Sequence, residues 1–389
     1  MTAERHKEKA PFDSPPRLAG EVARRCFGLE PAAVSPLRGG RVNETFLVET
    51  TSGSFVLQRL NDFFQGAEAL GSNWLAVQNA ARERDPAPPP LPLIQADLEG
   101  RLLSFLDEPA NGVWRLTGYL PGAPPAAKNA AAAREAARFL GRCHQFLNRP
   151  APLPLEDLPE GEFTNQRLCR ADDFENLARI YRGHPCLAEL ETLLAEAADS
   201  AWQLPFFPGF IDVFQRRDVI IHGDPKRDNF LFLDGRPSAL LDWDTVGFGH
   251  VLIDLAEMLR SWSARAGPAE AAVMTDIAAG VMAGYAETGL SLYPDEIELL
   301  PPVLRGVALN LCRRYLTDAL AGIYFKWDNA AYPSLYEQNR SRASAMLLLS
   351  EHLLAREMEL SETLRQAYED GLRQRLKRSS AAKETPGDN

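Results

Sequence analysis

The sequence predicts an α+β chain of two lobes, a small antiparallel β-rich lobe followed by a larger, mainly helical one. Two observations set this: period-two apolar runs are confined to the stretch between Val42 and Leu120, and helical spacing dominates beyond it. A third is the segment Pro121-Gly122-Ala123-Pro124-Pro125, which separates the two regimes and reads as a short hinge. The expected lobes are 18–120 and 121–377, with polar ends at 1–17 and a disordered tail at 378–389. A chain of 389 residues, 45% hydrophobic and 24% charged, is long enough for two such units, each with a buried core.

In order along the β lobe, Thr45–Thr50 and Ser54–Leu60 are β-rich runs joined by Thr51-Ser52-Gly53, which predicts a hairpin. A helix is expected from about Ala67 to Glu83, ended by the proline-dense Ala87–Pro92. Further strands near Leu93–Ala96, Arg101–Leu106 and Val113–Leu120 complete a five-stranded antiparallel sheet with one inserted helix. Beyond the hinge, apolar residues recur at helical spacing in 132–147, 251–262, 268–287, 295–323 and 340–376. One part of this lobe is not helical: 218–232 forms strand, polar loop and strand, and Ala239–Leu241 is a third strand ending in Asp242 and Asp244.

Composition excludes several functions. With 53 acidic against 42 basic side chains and a net charge of -11, the chain lacks the basic face that nucleic acid requires. No run of about 18 apolar residues predicts a membrane span. The five cysteines stand singly without metal or disulfide spacing, and the polar N-terminus lacks an apolar signal core. A reduced, cytoplasmic protein is expected, as a monomer or a homodimer.

The chemistry concentrates in the loop 222–229. It offers the carboxylate of Asp224, the ammonium of Lys226 and the carboxamide of Asn229 between two strands, with Asp242 at the end of the next strand. A carboxylate and an amide oxygen are hard donors that suit Mg²⁺, and a second carboxylate can accept a proton from a hydroxyl. These are the parts of a phosphoryl-transfer site. No G-x-x-x-x-G-K-[ST] occurs, which removes the P-loop kinases, and Gly247-Phe248-Gly249 lacks the third glycine of a dinucleotide fingerprint.

His222-Gly223-Asp224-Pro225-Lys226-Arg227-Asp228-Asn229 resembles the H-G-D-x-x-x-x-N catalytic loop of the aminoglycoside phosphotransferase and choline kinase superfamily, and Leu241-Asp242-Trp243-Asp244 is similar to its metal-binding motif. The resemblance spans about 35–350 and implies a protein-kinase-like fold and an ATP- and Mg²⁺-dependent kinase for a small-molecule acceptor. It implies Asp224 as catalytic base, Asn229 and Asp242 as Mg²⁺ ligands, and Lys226 near the γ-phosphate. Adenine is expected against the hinge at Tyr119 and Leu120. Kinases place a cation on the third strand, where this chain offers Gln58 and Arg59 on opposite faces; Arg59 can pair with phosphate bidentately and is preferred, with Glu68 as its helix partner. Gly39 and Gly40 are positioned to cradle phosphate with backbone amides, although an ordinary turn explains two adjacent glycines as well.

Within that superfamily, three local matches resemble the N-acetylhexosamine 1-kinases: Gly39–Phe46 with Val56–Asn61, Asp242–Val246 with Gly249, and Arg314–Asp318 with Tyr324-Phe325. This resemblance implies Asn43, Asp244, Arg314 and Tyr324 as substrate residues and the anomeric hydroxyl of an N-acetylhexosamine or related sugar as acceptor. Asp244 also lies two residues beyond Asp242, on the same side if the strand continues. Arg41 stands where that family has a His, and the spacing to Tyr324 is one residue shorter. The alternatives are an amino-alcohol or aminoglycoside kinase, which would want an acidic or aromatic cage, and a nucleotide-binding pseudokinase, whose degraded base or metal positions are not found here. His222 and Asp254 are expected to brace the loop rather than to react.

Overall fold

The structure is a computed structural model that describes residues 16–37, 40, 42–61, 68–84, 89–106, 112–157, 167–216, 218–267 and 269–384. The β lobe begins with helix α1 (Pro16–Phe27), whose Ala19, Val22, Ala23, Cys26 and Phe27 form a buried stripe at helical spacing. Six strands follow: β1 (Pro31–Pro36), β2 (Glu44–Thr50), β3 (Gly53–Arg59), β4 (Ile94–Gln95), β5 (Ser104–Phe105) and β6 (Val113–Gly118), with helix α2 (Glu68–Ala80) between β3 and β4. The sheet order is β1-β2-β3-β6-β4, with β5 also paired to β6, and every pairing is antiparallel. The predicted hairpin closes with Thr50 opposite Gly53.

Two features go beyond the expected five-stranded sheet. Strand β1 is Pro-Ala-Ala-Val-Ser-Pro, which has no β-branched alternation, so its strand character comes from pairing with β2 rather than from its own pattern. Helix α1 covers one face of the sheet, packing with Phe46, Val48, Leu57, Trp114 and Leu116. Because side chains alternate along a strand, Gln58 and its register partner Arg115 face the other way, toward the second lobe.

The hinge leaves β6 at Tyr119, whose amide donates to the Ser54 carbonyl at 3.2 Å, and joins the second lobe where Ala123 and Phe232 exchange backbone hydrogen bonds of 3.1 and 2.8 Å. That lobe contains α3 (Ala130–Asn148), α4 (Ala171–Ile180), α5 (Leu187–Trp202) and α6 (Pro208–Gln215), then short strands β7 (Val219–Ile221), β8 (Phe230–Leu233), β9 (Arg236–Leu240) and β10 (Gly247–Gly249). Helix α7 (Val251–Ser263), strands β11 (Ala264–Ala266) and β12 (Ala271–Val273), and helices α8 (Thr275–Ala286), α9 (Pro294–Ala321), α10 (Leu335–Ala355) and α11 (Glu357–Glu384) complete it. Asn129 caps α3 by accepting from the Ala132 amide at 2.8 Å. Helix α8 crosses α3 at Gly284, where an added Cβ would lie 2.1 Å from the Arg134 carbonyl.

The single helical stretch expected over 340–376 is two helices meeting at Arg356, and the second runs on through Glu384 into the stretch expected to be a disordered tail. One core fills the helical lobe, and it also takes in Trp74 and Val77 of α2 and Leu91 and Ile94 of the β lobe. Helix α2 therefore belongs by sequence to one lobe and by packing to the other. Among the described residues no helix is long and apolar enough to cross a membrane.

Candidate active site

Strands β7 and β8 hold the two ends of the loop 222–229, and β10 pairs with β7 beside it. The loop turns at Gly223, at φ 86°, with room for a hydrogen only: an added Cβ would sit 2.5 Å from the Thr245 carbonyl oxygen. Asp254, fully buried on α7, anchors the turn from below. Its two carboxylate oxygens accept from the His222 and Gly223 amides, each at 2.8 Å, and from His144 Nε2 at 2.9 Å. His222 is fully buried, edge-on to Trp243 at 4.9 Å, and burial pushes its imidazole down to about 4, against the pull of Asp254 and Asp242. It is a neutral structural group near neutral pH, as its place in the pattern suggested.

The reacting groups meet above this turn. The Lys226 ammonium bonds the Asp224 carboxylate and lies 3.7 Å from Oδ2 of Asp242. The Asn229 amide nitrogen donates to the Asp224 carbonyl at 2.9 Å, which leaves its side-chain oxygen free to accept or coordinate. Asp242 takes a left-handed conformation, φ 65° and ψ 62°, rare for a residue with a Cβ, which turns its carboxylate out of the β9 line. Burial raises the Asp224 carboxyl to about 6, opposed by Lys226. Burial acts the same way on Asp242, but Lys226, Arg115 and His222 outweigh it and hold that carboxyl below its usual range. Burial would lower the Lys226 ammonium, yet Asp224 and Asp242 push it above its ordinary value.

The donor set fits Mg²⁺: one carboxylate and one amide oxygen, with the amide nitrogen already committed elsewhere. Such a site is completed by nucleotide phosphates and water rather than by an all-protein cage, and among the described residues no cluster of three His, Cys, Asp or Glu ligands occurs.

Asp244, an expected substrate residue, is engaged by protein. Arg115 on β6 grips it with both terminal nitrogens, the second at 3.0 Å, donates to Gln58 Oε1 at 2.7 Å and stacks 4.7 Å from the Trp74 ring. Arg115 is 1% exposed and was missed by sequence reasoning, although an arginine inside the apolar run Val113-Trp114-Arg115-Leu116 signals a buried partner. The expected phosphate-positioning cation, Arg59, lies on the same face of β3 as Leu57, away from the cleft, and pairs with Glu44 at 3.7 Å. Strand alternation explains this correction: it is Gln58 that faces the cleft. Gly39 and the side chain of Glu68 lie outside the described residues. Gly40 is packed against its own loop, where a Cβ would meet the Asn43 carbonyl at 2.8 Å. Tyr119 is exposed at the hinge and Leu120 half-buried beside it.

The other expected substrate residues lie at the junction of the lobes. Arg314 donates to the Tyr324 hydroxyl at 3.2 Å. Asp318, fully buried, accepts from the amides of Ile323, Tyr324 and Phe325 at 2.8, 2.7 and 2.9 Å and so shapes the loop that presents Tyr324. Asn43 accepts from the Asn61 amide at 3.0 Å, its main-chain carbonyl accepts from Lys326, and Asn61 donates to the carbonyls of Ile323 and Tyr324, each at 3.1 Å. The structure thus gathers Asp224, Lys226, Asn229 and Asp242 in one cluster with Asp244 beside it. Arg59 stands apart, and Asn43 serves a tie between the lobes.

A sheet lobe hinged to a helical lobe, with a carboxylate, an ammonium and a carboxamide on a strand-bounded loop, defines a kinase-like phosphotransferase. The family model of the phosphotransferase enzyme family (APH) matches residues 33–289, so the chain belongs to that family, whose acceptor is a hydroxyl group. A curated relative, a homoserine kinase of Rhizobium meliloti (strain 1021), is 28% identical over 312 residues, covering 77% of this chain and 84% of the relative. The fold is similar to that of a microcompartment-associated aminopropanol kinase, with TM-score 0.58 at 15% identity over 88% of this chain and 98% of that one. It is also similar to an amicoumacin kinase solved with AMP-PNP and Ca²⁺, with TM-score 0.53 at 13% identity over 92% and 96% of the two chains.

Proposed function

We propose that this phosphotransferase moves the γ-phosphate of ATP to a hydroxyl of a small acceptor with Mg²⁺ as its metal. The observation that carries the reading is the Asp224–Lys226–Asn229–Asp242 cluster. Asp224 accepts the hydroxyl proton, the freed oxygen bonds to the γ-phosphorus, and the bond to the β-phosphate breaks to release ADP. Lys226 neutralises charge on the transferred group and keeps Asp224 oriented. Asn229 and Asp242 are the groups that would hold Mg²⁺, which when bound offsets phosphate charge. Arg115 fixes Asp244 beside Asp242 and, with Gln58, forms the cleft side of the sheet where the phosphates would lie; Arg59 is not assigned there.

For the acceptor, the reading is a sugar or related polyhydroxy compound, with N-acetylhexosamine as the leading case. Its support is the hydrogen-bonded Arg314–Tyr324 pair, which lies within electrostatic reach of Asp224 and Lys226. A hydroxy-amino acid is the second reading, favoured by the homoserine kinase relative.

Asp224→Asn is the direct test. Removing the proton acceptor should lower kcat by about 10²–10⁴ while nucleotide affinity stays within a few fold, measured by ADP release and by calorimetric titration with AMP-PNP. Turnover near wild type would reject Asp224 as the base.

A further inference from the structure

Against the catalytic loop lies a cavity of about 390 Å³, and its charged lining is Lys128, Lys226, Arg227, Asp228, Arg260 and Arg342. All of its described lining residues come from the helical lobe, and Lys226, which bonds the Asp224 carboxylate, sets one wall of the cavity against the reacting cluster. Five bases face one carboxylate, in a protein whose net charge is -11.

Three of these cations have carboxylate partners: Lys226 with Asp224, Arg227 with Asp228 at 3.1 Å, and Arg260 with Glu257 at 2.9 Å. Lys128 and Arg342 have none among the described residues. Lys128 donates to the Ala264 carbonyl at 2.7 Å, and burial, reinforced by Arg227 and Arg260 and opposed by Asp228, pulls its ammonium down to about 8. Arg342 is held over the rings of Tyr315 and Tyr332, 5.9 and 5.8 Å from their centres, and its Nη1 is buried with no hydrogen-bond partner. A guanidinium lying over two aromatic rings, with an unpaired buried N–H group, is an incomplete anion site, because a buried donor left unmatched has lost its hydration without replacing it.

We infer that the acceptor carries an anionic group, a carboxylate or a phosphate, that docks on Arg342 and Lys128 while its hydroxyl reaches Asp224. The inference rests on the kinase reading above and takes its acceptor further, favouring an acidic sugar or a hydroxy acid over the neutral N-acetylhexosamine. A polycationic antibiotic or a choline-like alcohol would meet like charge, and the two tyrosine rings that could cage it already hold Arg342.

Matched acceptor pairs test this on the full chain with Mg-ATP: galactose against galacturonate, N-acetylglucosamine against its 6-phosphate, and 3-aminopropan-1-ol against L-homoserine. The first and third pairs report a carboxylate, the second a phosphate. The expected result is kcat/KM at least tenfold higher for the anionic member of the pair that turns over. Arg342→Gln should lower that ratio at least tenfold and Lys128→Gln at least threefold. Equal kcat/KM within that pair, or a preference that survives both substitutions, overturns the inference. Absence of ADP release from every compound would count against the kinase reading. Calorimetric binding of the same pairs to the wild-type chain would then decide the anion site, and a neutral member binding as tightly as its anionic partner, or no binding by either, overturns it.

Discussion

Single residues here act through what burial denies them. His222 is the clearest case, since its imidazole sits at about 4 in the folded chain against an ordinary 6.5. Between those values the unfolded chain holds a proton that the folded chain lacks, so this group's contribution to stability rises with pH and is lost on acidification from 6.5 to 4. The loss is on the order of 3 kcal/mol once both forms are charged. His222→Asn should be less stable than wild type at neutral pH, with the gap in Tm narrowing as pH falls toward 4; a gap that stays constant would remove His222 as the acid-sensitive group. Arg115 is the complementary case, a buried guanidinium whose donors are met by Asp244 and Gln58 and whose face lies on the Trp74 ring.

At the scale of elements, the β7–loop–β8 unit depends on how closely the chain passes itself at Gly223. Gly223→Ala adds both backbone strain of about 1–3 kcal/mol and a collision with the Thr245 carbonyl. Gly235→Ala, at φ 76° with nothing within 4 Å of the added carbon, supplies the strain alone. The Gly223 variant should lose more Tm and at least tenfold in kcat, whereas the Gly235 variant should keep its kcat; equal losses would show that strain, not the close approach, governs the turn. The loop motif and the helical periods were legible in sequence because local residue types carry them, as with Asp224, Asn229 and the α9 period. Strand β1 and the partner of Arg59 were not, because pairing across a sheet decides both. The cavity against the loop was illegible for the same reason: Lys128 and Arg342 are more than 200 positions apart, and only tertiary packing brings them together.

At the scale of the whole molecule, the two lobes are joined by more than the hinge. Asn61 reaches the carbonyls of Ile323 and Tyr324, Lys326 reaches back to Asn43, and Arg115 crosses the cleft to Asp244. Helix α2 goes further still: Asn73 donates to the carbonyls of Val246 and Glu156 at 3.2 and 2.9 Å, while Trp74 and Gln78 of the same helix hold the carbonyls of Pro92 and Ile94 at 2.9 and 3.3 Å. A helix that shares its apolar side with one lobe while bonding the other leaves neither able to melt without exposing the partner's core. Heating should therefore give one calorimetric transition, with calorimetric and van't Hoff enthalpies in agreement, and two resolved peaks would show the lobes to be energetically separate. Topologically a pair of lobes, the chain is expected to unfold as one cooperative unit.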